Sequence, residues 1–158
     1  MAPADWRFAP AEPTDADAMR ALARAAYEKY VPRIGREPGP MVADYEAIAA
    51  SGHALLVWQG SELVGLLVTE LEDDALLLDN VAVSPALQGA GLGSRLLVIA
   101  EDQARAASKP TVRLFTNEKM TENIALYERR GFIETHRATE HGFTRVFMSK
   151  GLGTASSQ

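Results

Sequence analysis

Residues 74–97 read Asp-Ala-Leu-Leu-Leu-Asp-Asn-Val-Ala-Val-Ser-Pro-Ala-Leu-Gln-Gly-Ala-Gly-Leu-Gly-Ser-Arg-Leu-Leu. The stretch opens with an apolar run suited to a β-strand, Leu76 to Val83. Ser84-Pro85 stops that run, because proline lacks the N–H a ladder needs and biases the residue before it away from helix. Gln88-Gly89-Ala90-Gly91-Leu92-Gly93 follows, with an amphipathic helix behind it. A strand that feeds a glycine-rich loop at a helix N-terminus is suited to anions. Glycine lets the backbone come close, successive N–H groups point outward, and the helix dipole favours negative charge.

Several chemistries use such loops. A dinucleotide fingerprint requires the spacing Gly-x-Gly-x-x-Gly and an acidic residue about 20 positions further on. Here the glycines alternate at 89, 91 and 93, and the corresponding downstream region is Lys109-Pro110. A triphosphate loop needs Gly-Lys-Ser/Thr, which Gly93-Ser94-Arg95 does not supply. The glycines alone also fit a plain helix start with no ligand. Val81-Ala82-Val83-Ser84-Pro85 followed by Gln88-x-x-Gly91-x-Gly93, however, resembles the acetyl-coenzyme A signature of the GNAT N-acetyltransferases.

At 158 residues the chain is long enough for one domain with a sizeable core. Residues 1–150 are expected to form that domain and 151–158 a disordered polar tail. The absence of cysteine excludes disulfides, a thiolate nucleophile and a cysteine-ligated metal. The N-terminus carries Asp5 and lacks an apolar signal region, and no stretch approaches a membrane span. The expectation is a cytoplasmic enzyme without nucleic-acid or membrane partners. A formal charge of −5 argues against nucleic acid and suits cationic amines.

Along the chain, Trp6 to Ala9 reads as a short strand, and Thr14 or Asp15 as the N-cap of a helix. Met19, Leu22, Ala23, Ala26 and Tyr30 recur at helical spacing, and Pro32 is expected to end that helix. Residues 33–41 are too rich in Gly and Pro for regular structure, and Met41 to Ala50 reads as a second helix closed by Ser51-Gly52. His53 to Gln59 and Glu62 to Leu71 read as a hairpin about Gly60-Ser61, feeding the central strand through Glu72-Asp73-Asp74. A helix from Gly91 to Ala107 shows Leu92, Leu96, Ile99 and Ala100 on one face. Thr111 to Thr116 should return parallel to the central strand. A helix from Lys119 to Arg130 ends at Gly131, and Phe132 to Thr139 with Phe143 to Lys150 form a last hairpin around His141-Gly142.

The resulting order, β-α-α-β-β-β-α-β-α-β-β, is that of the GNAT fold, an α/β arrangement with a central mixed, mostly antiparallel sheet and flanking helices. A second motif agrees with the resemblance: Asn117, Asn123, Tyr127 and Gly131-Phe132. The resemblance implies acetyl-coenzyme A as co-substrate, its pantetheine arm lying along the central strand. Val81, Ala82 and Val83 would contribute backbone groups, the Val81 N–H facing the thioester carbonyl. Gln88, Gly89, Ala90, Gly91, Leu92 and Gly93 would hold the pyrophosphate through N–H groups, with the Ser94 hydroxyl beside them. Asn123 would bond the pantetheine amide. Tyr127, four residues on and on the same helical face, would protonate the leaving thiolate. Asn117 reads equally well as a ligand or as a turn residue.

Histone-acetylating relatives carry a glutamate early in the central strand, and here that position is Leu77. Glu70, Asp79 or a water chain remains as the base. The three histidines, at 53, 136 and 141, have no metal-ligand spacing, so no metal is expected. Residues 27–45 should wall the acceptor, with Tyr30, Arg33, Arg36 and Met41 as substrate-binding candidates. The two arginines suit a substrate carboxylate, or equally surface pairing with Glu28 and Glu37. The expected reaction is acetyl transfer to a primary amine of a small molecule or peptide. The rival is a non-catalytic acyl-coenzyme A binding module of the same fold. A homodimer is open, since dimers are common among similar proteins.

Overall fold

The computed structural model describes residues 5–153; of the tail expected over 151–158, Gly151 ends the last strand and the Leu152 N–H donates to the Pro110 carbonyl at 2.9 Å, while 154–158 lie outside the described residues. Seven strands take the sheet order β1-β2-β3-β4-β5-β7-β6, with helices between them, a mixed α/β fold. The chain divides into two compact units. The first runs to Val68 and takes in Asn80–Leu96; the second comprises Thr69–Asp79 and Leu97 onward.

In the first unit, β1 (Trp6–Pro10) pairs antiparallel with β2 (Ala54–Gln59), from Trp6↔Gln59 to Pro10↔Leu55. β2 pairs antiparallel with β3 (Glu62–Leu71), with a register shift at Val57/Trp58. The expected turn holds, Gly60 taking φ +62. Gly65 in β3 has a different reason. A Cβ there would stand 3.0 Å from Leu92 Cδ2 and 3.4 Å from the Val57 side chain, so any other residue would require Leu92 to give way by a few tenths of an ångström.

The helices of this unit depart from expectation at their ends. α1 (Ala16–Tyr27) buries Met19, Leu22, Ala23 and Ala26, as the periodicity predicts, and Tyr27 with them; Tyr30, the last of the predicted set, is buried beyond its end. Asp15 sits at its N-cap, but its carboxylate accepts instead from the Glu12 N–H, closing a 3₁₀ turn over Pro13–Asp15. Pro32 does not end α1. The helix gives way at Tyr27 to a 3₁₀ turn, and Pro32 lies in the first turn of α2 (Val31–Ile34), where its missing N–H costs nothing. Gly35 at φ +91 stops that piece. Helix also forms where none was expected, in α3 (Gly39–Val42). The helix expected over Met41 to Ala50 is split at Ala43, and α4 (Tyr45–Ser51) restarts with Asp44 accepting from the Ala47 N–H. Gly52 at φ +83 closes it as expected.

The second unit holds the first half of β4 (Leu76–Val83), β5 (Thr111–Asn117), β6 (Ile133–Glu140) and β7 (Phe143–Gly151). β4 meets β5 in parallel at Leu76↔Val112 and Leu77↔Arg113, as the helical crossover requires. β5 pairs antiparallel with β7 from Thr111↔Gly151 to Asn117↔Arg145, and β7 with β6 about His141-Gly142. α5 (Leu92–Ala106) buries Leu97, Ala100 and Ala104 here. α6 begins at Thr121, not Lys119, because Asn117 first closes a turn in which its Oδ1 accepts from the Lys119 N–H at 2.8 Å. It ends at Arg129. Gly131 at φ +95 lets the Phe132 N–H reach back to the Tyr127 carbonyl at 3.0 Å.

Two ion pairs close this unit. Arg113 bonds Glu72 through two nitrogens, one contact at 2.8 Å, and holds the Glu72 carboxyl below its ordinary range. Lys150 on β7 meets Glu101 on α5 at 2.8 Å, and the Glu101 carboxylate is buried. Removing one partner of a buried pair strands the other charge, at about 3 kcal/mol. Lys150→Met should therefore lower the free energy of denaturant unfolding by about that amount. Adding Glu101→Gln should recover most of the loss; equal stability of the two variants would count against the pair.

Candidate active site

β4 delivers the chain to the glycine loop with its path already constrained. Val81 and Ala82 are buried, and Val83 is half-buried. The Ser84 N–H then donates to the Val64 carbonyl at 2.8 Å, anchoring the strand's exit. A 3₁₀ turn over Pro85–Leu87 follows. Gln88, Gly89, Ala90 and Gly91 are exposed, and Gly89 and Gly91 take φ +87 and +93. Alternation of left-handed and ordinary residues is the pattern of an anion-binding nest, although two of the loop's N–H groups are used within it, Gln88 on the Pro85 carbonyl at 3.3 Å and Ala90 on the Leu87 carbonyl at 3.0 Å. No heavy atom comes within 4 Å of a Cβ built on either glycine, so neither position is crowded. Behind the loop stands the 15-residue α5, with its positive dipole end at Leu92. The geometry fits a bound phosphate.

Lys29 was not foreseen. Its Nζ lies 3.3 Å from Gln88 Oε1, which puts a cation beside the loop. The two residues are 59 positions apart, so no local pattern could have linked them.

Of the acceptor candidates, Tyr30 and Met41 are buried, whereas Arg33 and Arg36 are exposed. The Tyr30 ring carries Lys29 Nζ and the Arg33 guanidinium, each 5.2 Å from its centroid. Glu37 binds Arg24 at 2.7 Å, so the arginine that meets it comes from α1. Arg24 also reaches the Met41 carbonyl at 3.5 Å and ties down this segment.

The remaining candidates lie in the second unit. Asn123 and Tyr127 project from one side of α6, the first half-buried and the second buried against Phe132 with ring centroids 5.9 Å apart. Asn117 is engaged in the turn described above. Leu77 is buried, as an apolar residue in a strand should be. Asp79 is different. Desolvation first, then the charge of Glu70, raises its carboxyl above the ordinary 3.8. Among the described residues no group of three or more His, Asp or Glu is placed to hold a metal, and no helix is long and apolar enough to cross a membrane.

A match to the Acetyltransferase (GNAT) family covers residues 16–132, from α1 through the glycine loop to Phe132. The chain belongs to the GNAT acetyltransferase family. Acetyl-coenzyme A is the co-substrate of that family. The chain is similar to the spore coat polysaccharide biosynthesis protein SpsD of Bacillus subtilis, 28% identical over 82% of this chain and 48% of that protein. It is also similar to the uncharacterized N-acetyltransferase YjgM of Escherichia coli, 35% identical over 56% of each. The chain thus spans about half the length of the curated relatives it matches. In fold it is similar to the PaiA N-acetyltransferase of Thermoplasma acidophilum, solved with coenzyme A: TM-score 0.72, 15% identity, 92% of this chain and 98% of that one.

Two measurements follow from this geometry. Gly91→Val puts a β-branched residue at φ +93, a conformation such residues rarely adopt, and adds to an exposed loop a side chain whose Cβ meets nothing within 4 Å. The variant should fold and bind coenzyme A at least about tenfold more weakly by calorimetry, a loss of ~1.4 kcal/mol. Unchanged affinity would remove the loop from the site. For Asp79, a raised folded value means the folded state disfavours the charge, so the penalty is present above the folded value. Asp79→Asn should raise the Tm at neutral pH. That advantage should fade as pH falls through the folded value and be gone below 3.8, where Asp79 is protonated in both states. A variant no more stable than the parent at neutral pH would contradict this.

Proposed function

We propose that this chain is a cytoplasmic N-acetyltransferase that moves an acetyl group from acetyl-coenzyme A directly to a primary amine of a small molecule or peptide. The observation that carries this reading is the pair of left-handed glycines, 89 and 91, exposed at the start of a 15-residue helix. The pyrophosphate rests on the loop from Gln88 through Gly93, held by its N–H groups other than those of Gln88 and Ala90, which bond Pro85 and Leu87, with the Ser94 hydroxyl beside them and Lys29 adding a charge. Val81, Ala82 and Val83 offer backbone groups to the pantetheine arm. Asn123 bonds its amide. Asn117 contributes through its amide nitrogen, its oxygen being held by Lys119.

In the reaction the neutral amine attacks the thioester carbonyl carbon, and a C–N bond forms. The Val81 N–H stabilises the oxygen as it gains charge. The C–S bond then breaks, and the Tyr127 phenol gives its proton to the departing thiolate. The ammonium must first lose a proton. Asp79 is the favoured base among Glu70, Asp79 and water, since its raised carboxyl suits a proton acceptor. Tyr30, Arg33, Arg36 and Met41 form the acceptor side. Its chemistry favours an amine that also bears a carboxylate, which the two guanidiniums would bind.

A second reading, a non-catalytic acyl-coenzyme A binding module, is favoured by the buried Leu77 where a base would stand. Thiol release across a panel of amines separates the two. With no cysteine in the chain, every thiol detected comes from coenzyme A. Binding without release on any amine would favour the module. Within the enzyme reading, Tyr127→Phe should slow single-turnover acetyl transfer by about 10²- to 10⁴-fold. Affinity for acetyl-coenzyme A should be kept, because the loop holds it through backbone groups. An unchanged rate with intact binding would leave Tyr127 a packing residue.

A further inference from the structure

Asn80 lies in β4 next to Val81 with 7% of its surface exposed. A buried carboxamide needs partners at both ends. Its Oδ1 accepts from the Tyr27 hydroxyl at 2.8 Å, and its Nδ2 donates to the Tyr45 oxygen at 3.0 Å. The Tyr45 hydroxyl gives its own proton to the Pro40 carbonyl at 2.5 Å. Tyr27 stands equally close, 2.8 Å, to the carbonyl of Val81. Each phenol has one proton. That of Tyr45 is committed to Pro40, so the amide nitrogen must face Tyr45 and the amide oxygen must face Tyr27. The single Tyr27 proton is shared between Asn80 Oδ1 and the Val81 carbonyl, and through it polar contacts link the Val81 carbonyl, Tyr27, Asn80, Tyr45 and the Pro40 carbonyl. Both phenols are buried, at 4% and 0% exposure.

The two ends of this run are main-chain atoms, which is what makes it a positioning device. In a regular strand the N–H and C=O of one residue face the same neighbour. A phenol from α1 on the Val81 carbonyl therefore also bears on where the Val81 N–H points. At the other end Pro40 precedes Met41, in the segment assigned to the acceptor. Apolar side chains would fill the same space without the cost of desolvating three polar groups.

We propose that Tyr27, Asn80 and Tyr45 are positioning residues for acetyl transfer, tying the acceptor segment at Pro40–Met41 to Val81 so that the amine and the thioester carbonyl meet in register. The proposal rests on the acetyltransferase reading above and assigns these three side chains no contact with substrate.

The test is difference infrared spectroscopy of the full chain with acetyl-coenzyme A isotopically labelled at the acetyl carbonyl, alongside steady-state kinetics. In the wild type the bound carbonyl band should lie below that of free acetyl-coenzyme A, as a hydrogen bond to the Val81 N–H requires. Tyr27→Phe should move the band toward the free position and lower kcat about 10- to 100-fold, the scale of a misplaced oxyanion donor. Its Kd for acetyl-coenzyme A should stay within about twofold, since the phosphate loop is untouched. Tyr45→Phe should raise KM for the amine and leave the band in place. Should Tyr27→Phe not fold, a fluorinated tyrosine at 27 keeps the packing and strengthens the donor, and it should shift the band. A band and kcat that ignore both changes at Tyr27 overturn the positioning role, whatever happens to Tm; an amine KM that ignores Tyr45→Phe overturns the link to the acceptor. A wild type that binds no acetyl-coenzyme A overturns the acetyltransferase reading itself, which separates that failure from this one.

Discussion

A carboxamide in the middle of an apolar strand must have its hydrogen bonds made inside the protein, and the first unit is arranged around meeting that demand at Asn80. α1 ends its regular helix at Tyr27, where the phenol reaches Asn80 and Val81. α4 begins at Tyr45, whose phenol takes the amide hydrogen and holds Pro40. The break between α3 and α4 and the unravelling after α1 are the local counterparts of those two contacts. A single unbroken helix over Met41 to Ala50 would have kept its propensity and lost the angle at which Tyr45 enters. Tertiary demand overrides local preference here.

The glycine loop obeys a different constraint, one of backbone freedom. Positive φ at 89 and 91 turns the chain sharply ahead of α5. Gly65 serves the same region from behind. By leaving room for Leu92 it lets the first residue of α5 pack directly on β3, which holds the helix start in place. On the proposed reading, an anion site made of main-chain groups would be only as well placed as the helix that carries it, which is where the packing at Gly65 bears on the loop.

These two kinds of constraint explain what could be read from the sequence. β4, the loop and α5 were legible because proline, glycine and apolar period are local signals: β4 forms over Leu76–Val83 as expected and α5 begins one residue inside the expected start. The two hairpins were legible for the same reason, through Gly60 and Gly142. Residues 28–45 were not. Pro32 reads as a stop and is tolerated in a first helical turn. Glu37 reads as a partner for nearby arginines, and it also meets Arg24, distant in sequence on α1. Lys29 carries no local signal and meets Gln88, 59 positions away. Asn117 was legible only as a choice between turn and ligand, and its oxygen is found in the turn. In each case a partner distant in sequence, or a local alternative of similar energy, decides the outcome.

The proton that leaves the amine poses the sharpest chemical question, because the position that carries a glutamate in histone-acetylating relatives is the buried Leu77. Leucine there completes an apolar run and cannot accept a proton. Two residues on, the alternation of a strand returns to the same face, about 6.6 Å further along. That residue is Asp79, exposed yet partly desolvated and facing the charge of Glu70. A carboxylate raised in this way holds a proton more readily than an ordinary one, and its open side lets that proton pass on to solvent. Moving the carboxylate from 77 to 79 thus preserves the face while changing its depth. On our reading the base has been displaced along the strand, and an acceptor for this chain must bring its nitrogen to that displaced position.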